Sequence, residues 1–122
     1  MNPLEISPAE FRALADRVTK LASDYLEQLD DQPIAPVVSG AESEAAFRAE
    51  LPEHGMGAAS LDALPEVIRM VRAQNGRFFG YVLGSGEPVG AVADFLASLL
   101  NQNVTAWRSG PAAVVIEQRL HR

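Results

Sequence analysis

The chain has 122 residues, 48% of them hydrophobic, with ten basic and sixteen acidic side chains and a net charge of −6. One folded domain fits that length, and the acidity speaks against a surface for nucleic acid or anionic membrane. There is no cysteine, Lys20 is the only lysine, and His54 and His121 are the only histidines; disulfides and thiolate chemistry are excluded, and a lysine Schiff base or a histidine cluster has little to draw on. No apolar run approaches the ~20 residues of a membrane helix. The start Met1-Asn2-Pro3-Leu4-Glu5 lacks the basic and apolar regions of a signal peptide, so a cytoplasmic protein is expected.

Ser7-Pro8-Ala9-Glu10 predicts a helix start, with Ser7 as N-cap, Pro8 at the first helical position and Glu10 closing a capping box. Phe11, Leu14, Ala15, Val18, Leu21, Ala22, Tyr25, Leu26 and Leu29 follow at helical spacing. This helix should end near Asp30-Asp31, before Pro33, and packs either on its own domain or on a partner subunit. Residues 32–41 read as an extended connector and 42–51 as a short helix. Ser60 can cap a further helix whose apolar face is Leu61, Leu64, Val67, Ile68 and Val71. Asn75-Gly76 marks a turn.

Phe78-Phe79-Gly80-Tyr81-Val82-Leu83 is aromatic and β-prone, which predicts a short strand. A loop, Gly84-Ser85-Gly86-Glu87, leads to a helix from Pro88 to about Leu100. That helix is apolar nearly all round and is expected to be buried. Asn101-Gln102-Asn103 ends it, Val104-Thr105-Ala106-Trp107 reads as extended, and Ser109-Gly110-Pro111 opens a last helix. The expectation is a mainly α chain of about five helices and short extended pieces. These make no obvious closed core and look like the front of something larger.

The candidates for chemistry are few. Gly84, Gly86 and Gly90 give G-x-G-x-x-x-G, one residue longer than the dinucleotide fingerprint; a turn that lets backbones pass closely is the simpler reading of Gly84-Ser85-Gly86, with a small nucleotide-binding unit as the alternative. His54 and His121 read as surface histidines, and Lys20 as a solvated residue on the polar face of the first helix. Glu42, Glu44, Glu50 and Glu53 read as a solvated surface. Trp107 reads as a buried anchor, with a cation–π contact to Arg108 as the alternative. No metal-ligand spacing is present.

The stretch Arg77-Phe78-Phe79-Gly80-Tyr81-Val82-Leu83-Gly84-Ser85 carries a more specific signal. With Pro88-Val89-Gly90, Ala93-Asp94, Leu99-Leu100-Asn101-Gln102-Asn103, Trp107 and Ser109-Gly110-Pro111-Ala112-Ala113, it resembles the N-terminal part of the group II pyridoxal-phosphate-dependent amino-acid decarboxylases. The order and gaps fit from about Ser7 to Leu120. The resemblance implies a helical N-terminal segment of a fold-type-I, aminotransferase-like α/β enzyme. It divides the chain into a dimerisation helix (1–31), a connector with helices (32–76) and a segment that supplies the substrate wall and begins the cofactor domain (77–122).

The resemblance also implies site residues. Tyr81, Val82, Leu83, Gly84 and Ser85 would line the substrate side of the pocket. Asn103 and Thr105 would approach the active site of the neighbouring subunit. Phe11, Leu14, Val18, Leu21 and Tyr25 would form the interface of a homodimer. The family's phosphate-binding loop, stacking histidine, pyridinium-pairing aspartate and Schiff-base lysine correspond to positions beyond Arg122. No catalytic or cofactor-binding residue is therefore expected here, and an isolated chain is expected to be inactive although the enzyme uses pyridoxal 5'-phosphate. The sequence departs from the family at Asn75-Gly76, where His-Pro is common. It departs again at Val82, Leu83 and Gly84, where members acting on aromatic substrates carry an aromatic residue, a proline and a hydroxyl. The wall remains apolar, which suits an aromatic or hydrophobic amino acid. A stand-alone helical dimerisation module is the alternative from another class. A helix start at Pro88 would also offer backbone N–H groups to a substrate carboxylate.

Overall fold

A computed structural model describes residues 5–82, 84 and 86–120, so the expectations for Leu83, Ser85 and His121 lie outside the described residues. The described residues form five α-helices and no strand. They fall into two compact units, Met1–Gly84 and Ser85–Arg122.

In the first unit, α1 spans Pro8–Gln28. The Ser7 hydroxyl accepts from the Glu10 N–H at 3.2 Å, and the Glu10 carboxylate accepts from the Ser7 N–H at 2.8 Å. The capping box read from the sequence is thus formed, and it satisfies two backbone donors that a helix start leaves orphaned. The apolar stripe is only partly covered: Phe11, Leu14, Leu21 and Tyr25 are half-buried and Val18 is exposed. Arg17 reaches Asp62 at 2.6 Å, an exposed pair that contributes little stability on its own.

The second helix, α2, spans Gly40–Phe47 and starts earlier than the predicted 42–51. Ser39 and Glu42 build a second capping box, at 3.1 and 2.7 Å. The predicted helix after Ser60 is also altered. Gly57–Ala63 forms a 3-10 segment, and the α-helix α3 is confined to Leu64–Arg69, with Pro65 in its first turn. Ser60 does not cap it; its hydroxyl donates to the Gly57 carbonyl at 2.8 Å. Proline near a helix start lacks the N–H that would need a cap, so α3 begins at Leu64 rather than at Ser60.

After α3 the chain returns to the end of α1. Ala73 is 2% exposed and Asn75 is 8% exposed, and they are the buried residues of this unit among those described. The Asn75 amide donates both hydrogens, to the Leu29 carbonyl at 3.0 Å and to the Gln32 carbonyl at 3.1 Å. Its side-chain oxygen accepts from the Arg77 N–H at 3.1 Å. The Arg77 guanidinium adds hydrogen bonds to the carbonyls of Asp30 and Gln32. A helix end leaves four carbonyls without intrahelical partners and carries a partial negative charge. Local N–H groups take the carbonyls of Leu26, Gln28 and Leu29, and the neutral amide and the guanidinium, from more than forty residues away, add donors at Leu29 and in the turn after it, at Asp30 and Gln32. Asn75 is a turn residue as expected, and it is also the cap of α1.

The second unit holds α4 (Pro88–Leu100), a 3-10 turn (Trp107–Ser109) and α5 (Pro111–Leu120). Both helices start at the prolines predicted for them, and Asn101 ends α4 in the left-handed conformation, φ 42°. The expectation that α4 is buried is overturned: Val89 is 76% and Val92 72% exposed, and Phe95, Leu96, Leu99 and Leu100 are exposed as well. Trp107 is exposed too, not the buried anchor expected of it. This unit contains no second apolar layer to cover them. The extended piece predicted at 104–107 is instead a turn closed by Asn103, followed by the 3-10 segment.

Two outcomes follow. Replacing Asn75 by Ala removes its hydrogen bonds to the carbonyls of Leu29 and Gln32 and the one from the Arg77 N–H, and should lower stability in urea unfolding by about 1–3 kcal/mol. Asn75→Asp, which sets a carboxylate against carbonyl oxygens, should cost more; equal or smaller loss for Asp contradicts the capping role. The second outcome concerns acid. The Ser7 side chain, then its backbone N–H, holds the Glu10 carboxyl below the usual glutamate range. The backbone N–H of Ser39, then its side chain, does the same for Glu42, and the Arg69 side chain does so for Glu66. A depressed folded-state pKa gives stability that is complete above the unfolded value and is lost as pH falls through the folded one. Helical circular dichroism should therefore be flat at neutral pH and fall only below the ordinary glutamate range, with Glu10→Gln and Glu42→Gln flattening that loss.

Candidate functional site

The residues proposed for the substrate wall begin at Tyr81. The strand predicted for 78–83 is absent over the described residues: Phe78–Gly80 are irregular and Tyr81-Val82 form a bend. Tyr81 has φ 62°, the left-handed region that costs an L-residue with a bulky side chain. A strand also needs a partner strand, and none is present among the described residues.

An aromatic cluster stands in place of the strand. The Arg72 guanidinium carbon lies 5.3 Å from the ring centroids of both Phe78 and Tyr81, inside the ~6 Å range of cation–π attraction. The two rings are 6.3 Å apart and tilted by 36°. Phe78 is anchored by its N–H, which donates to the Asn75 carbonyl at 3.0 Å. Gly80 lies close to the Phe78 ring: a Cβ there would sit 3.3 Å from two of its atoms, so the ring would have to shift slightly to admit one. Tyr81 itself is 80% exposed, and Phe79 and Val82 are exposed beside it, so this bend presents an apolar surface with one phenol. The sequence pattern points to Phe78 and Tyr81. Arg72 is absent from that reading because its link to them is a fold contact across a turn.

In the second unit, Asn103 and Thr105 are brought together. The Asn103 side-chain oxygen accepts from the Thr105 N–H at 2.9 Å and from the Thr105 hydroxyl at 2.6 Å. Gly110, the buried residue of this unit among those described, passes close beneath: a Cβ there would meet the Asn103 carbonyl oxygen at 3.2 Å. The turn is thus held from both sides.

The start of α4 settles two expectations. The Glu87 carboxylate accepts from the N–H groups of Val89 and Gly90. Gly90 leaves room for it, since a Cβ would lie 3.2 Å from the carboxylate. The amides that a phosphate or a substrate carboxylate would use already hold an anion from the chain itself. Of the glycines in the G-x-G-x-x-x-G run, Gly90 serves this cap, and the carboxylate site expected at this helix start is corrected, since Glu87 occupies it.

The remaining titratable groups are dispersed. Lys20 is exposed on α1 and pairs with Asp24 at 2.6 Å. His54 is exposed, as are Glu44, Glu50 and Glu53, with Glu44 paired to Arg48 at 2.5 Å. No group of three or more His, Asp or Glu is placed to hold a metal ion among the described residues. No helix among them is long and apolar enough to cross a membrane. Pyridoxal phosphate, which the sequence resemblance implies, needs a lysine in a sheltered site. Lys20, on a solvated helix face and held by a carboxylate, does not fit it.

The chain is similar to known proteins over most of its length. The chain is 29% identical over 117 residues to an aromatic-L-amino-acid decarboxylase of Bacillus atrophaeus, covering 93% of this chain and 24% of that protein. It is 29% identical over 117 residues to a tyrosine decarboxylase of Oryza sativa subsp. japonica, covering 88% of this chain and 21% of that one. The chain resembles the N-terminal part of amino-acid decarboxylases. It spans a quarter or less of the length of these curated relatives. No family model matches, and no solved structure does.

The α4 cap gives a direct test. Titrating inorganic phosphate should leave the Val89 and Gly90 amide resonances unmoved, whereas Glu87→Ala should let phosphate shift them and should weaken the helix by about 1 kcal/mol. Saturable phosphate shifts in the unmodified chain contradict this reading of the loop.

Proposed function

We propose that residues 1–122 form the N-terminal part of a pyridoxal-phosphate-dependent decarboxylase acting on an aromatic or hydrophobic L-amino acid. The observation that carries this is similarity to two decarboxylases over about nine-tenths of the chain; both are named for aromatic substrates. Bound in such an enzyme, the cofactor withdraws the electron pair left when carbon dioxide departs. Its anchoring groups belong to polypeptide outside residues 1–122, because Lys20 does not fit the role.

The contribution of these residues is then the wall of the pocket. Tyr81 and Val82, with Leu83, Gly84 and Ser85 after them, offer apolar contact and few polar groups. A charged substrate side chain placed there would lose water without gaining a partner, whereas an aromatic side chain loses nothing. Asn103 and Thr105 form a rigid polar turn suited to the pocket of the neighbouring subunit. The stripe of Phe11, Leu14, Val18, Leu21 and Tyr25, half-covered within its own unit, is completed by a second copy of the chain.

The experiment is kinetic. The longest natural polypeptide containing residues 1–122, supplied with pyridoxal phosphate, should release carbon dioxide from aromatic amino acids in preference to glutamate or aspartate. Residues 1–122 alone should release none. Tyr81→Ala should lower kcat/KM by about tenfold to two-hundredfold, the ~1–3 kcal/mol of a lost pocket contact, with cofactor binding unchanged. Loss of cofactor with an unchanged substrate ranking would make the bend structural. For the interface, Leu14→Asp with Leu21→Asp should dissociate a dimer in sedimentation; a monomer before mutation contradicts that part.

A further inference from the structure

We propose that Arg72 is a positioning residue: by stacking across Phe78 and Tyr81 it holds Tyr81 in its left-handed backbone conformation and so sets where the Tyr81 ring stands. The consequence for substrate rests on the proposed function above; the clamp itself does not.

Three observations converge. First, Tyr81 occupies φ 62°, a conformation that an aromatic residue adopts only when its surroundings compensate for it. Second, the interactions of Tyr81 among the described residues are those of its ring, with the Arg72 guanidinium at 5.3 Å and with Phe78 at 6.3 Å. The stack is the contact that the Tyr81 side chain makes there. Third, the backbone of Phe78 is anchored independently of Tyr81: its N–H donates to the Asn75 carbonyl, and Asn75 is itself tied to the Leu29 and Gln32 carbonyls. Arg72, an exposed residue, bridges that anchored Phe78 and Tyr81.

The use of arginine follows from the geometry. Arg17, Arg48 and Arg69 pair with carboxylates and Arg77 donates to carbonyls. The Arg72 guanidinium carbon lies over two rings at equal distance. A planar, delocalised and weakly hydrated cation can lie against two rings at once, which a compact ammonium does less well.

The test uses nuclear magnetic resonance of residues 1–122, with Arg72→Ala, Arg72→Met and Arg72→Lys. Arg72→Met keeps the length and apolar contact without the charge. In the unmodified chain the Arg72 Cδ protons should be shifted upfield by the two rings, and Tyr81 should show the Cα shift and coupling of a left-handed residue. In Arg72→Ala and Arg72→Met the Tyr81 signals should move to extended values with helical circular dichroism unchanged, and Arg72→Lys should restore them in part. Left-handed Tyr81 in Arg72→Ala or Arg72→Met overturns the proposal. The same variants in the longest natural polypeptide should lower kcat/KM for an aromatic amino acid by about threefold to thirtyfold, with Lys rescuing more than Met. If Tyr81 moves and the kinetics do not, the clamp stands and the assignment of Tyr81 to the substrate wall fails.

Discussion

A buried amide from a distant turn ties down the turn that follows α1. Asn75 spends both amide hydrogens on Leu29 and Gln32 and its oxygen on the Arg77 N–H, and Arg77 reinforces the same helix end with its guanidinium. A net hydrogen bond contributes only about 0.5–1.5 kcal/mol. The comparison that matters is with the apolar side. Ala73 is the buried apolar residue of this unit among those described, and a buried methyl contributes less than about 1 kcal/mol. The half-buried stripe of α1 adds diffuse, non-directional burial. A polar knot, not a packed apolar centre, therefore fixes where the chain passes after α3.

The site inherits its geometry from that knot. Asn75 holds Phe78 through a backbone hydrogen bond, the Phe78 ring packs closely on Gly80, and the Arg72 guanidinium carbon lies over the rings of Phe78 and Tyr81. The bend that presents Tyr81 is thus tied to the end of a helix more than forty residues earlier in the chain. In the second unit the Asn103–Thr105 turn is braced by Gly110 in the same spirit, with backbone and short polar side chains in place of a core. The apolar length of α4 and Trp107 stay exposed.

Much of the helical layout was legible because its signals are local. Ser7, Pro8 and Glu10 announce α1; Pro88 and Pro111 announce α4 and α5. Ser39 and Glu42 carry the same capping signature, but the connector character of residues 32–41 masked it. Ser60 misled because a hydroxyl before an apolar run looks like a cap, whereas Pro65 moved the helix start past it. The strand at Phe78–Leu83 was read from β-prone residues alone, and β propensity reflects a pleated environment that no neighbouring strand provides here. The burial expected of α4 follows from its composition; coverage is a property of what packs on it. Tyr81 and its neighbours were singled out by their likeness to decarboxylases. Arg72 and the double role of Asn75 were not, since each depends on contacts that only the fold creates.

The dependence of the fold on Asn75 can be measured by scalar couplings across its hydrogen bonds together with exchange of its side-chain amide. Couplings from the Asn75 side-chain nitrogen to the carbonyl carbons of both Leu29 and Gln32, with amide protons exchanging far more slowly than those of exposed asparagine, are the predicted result. An Asn75 amide that exchanges at the rate of a free side chain and shows neither coupling would contradict the account.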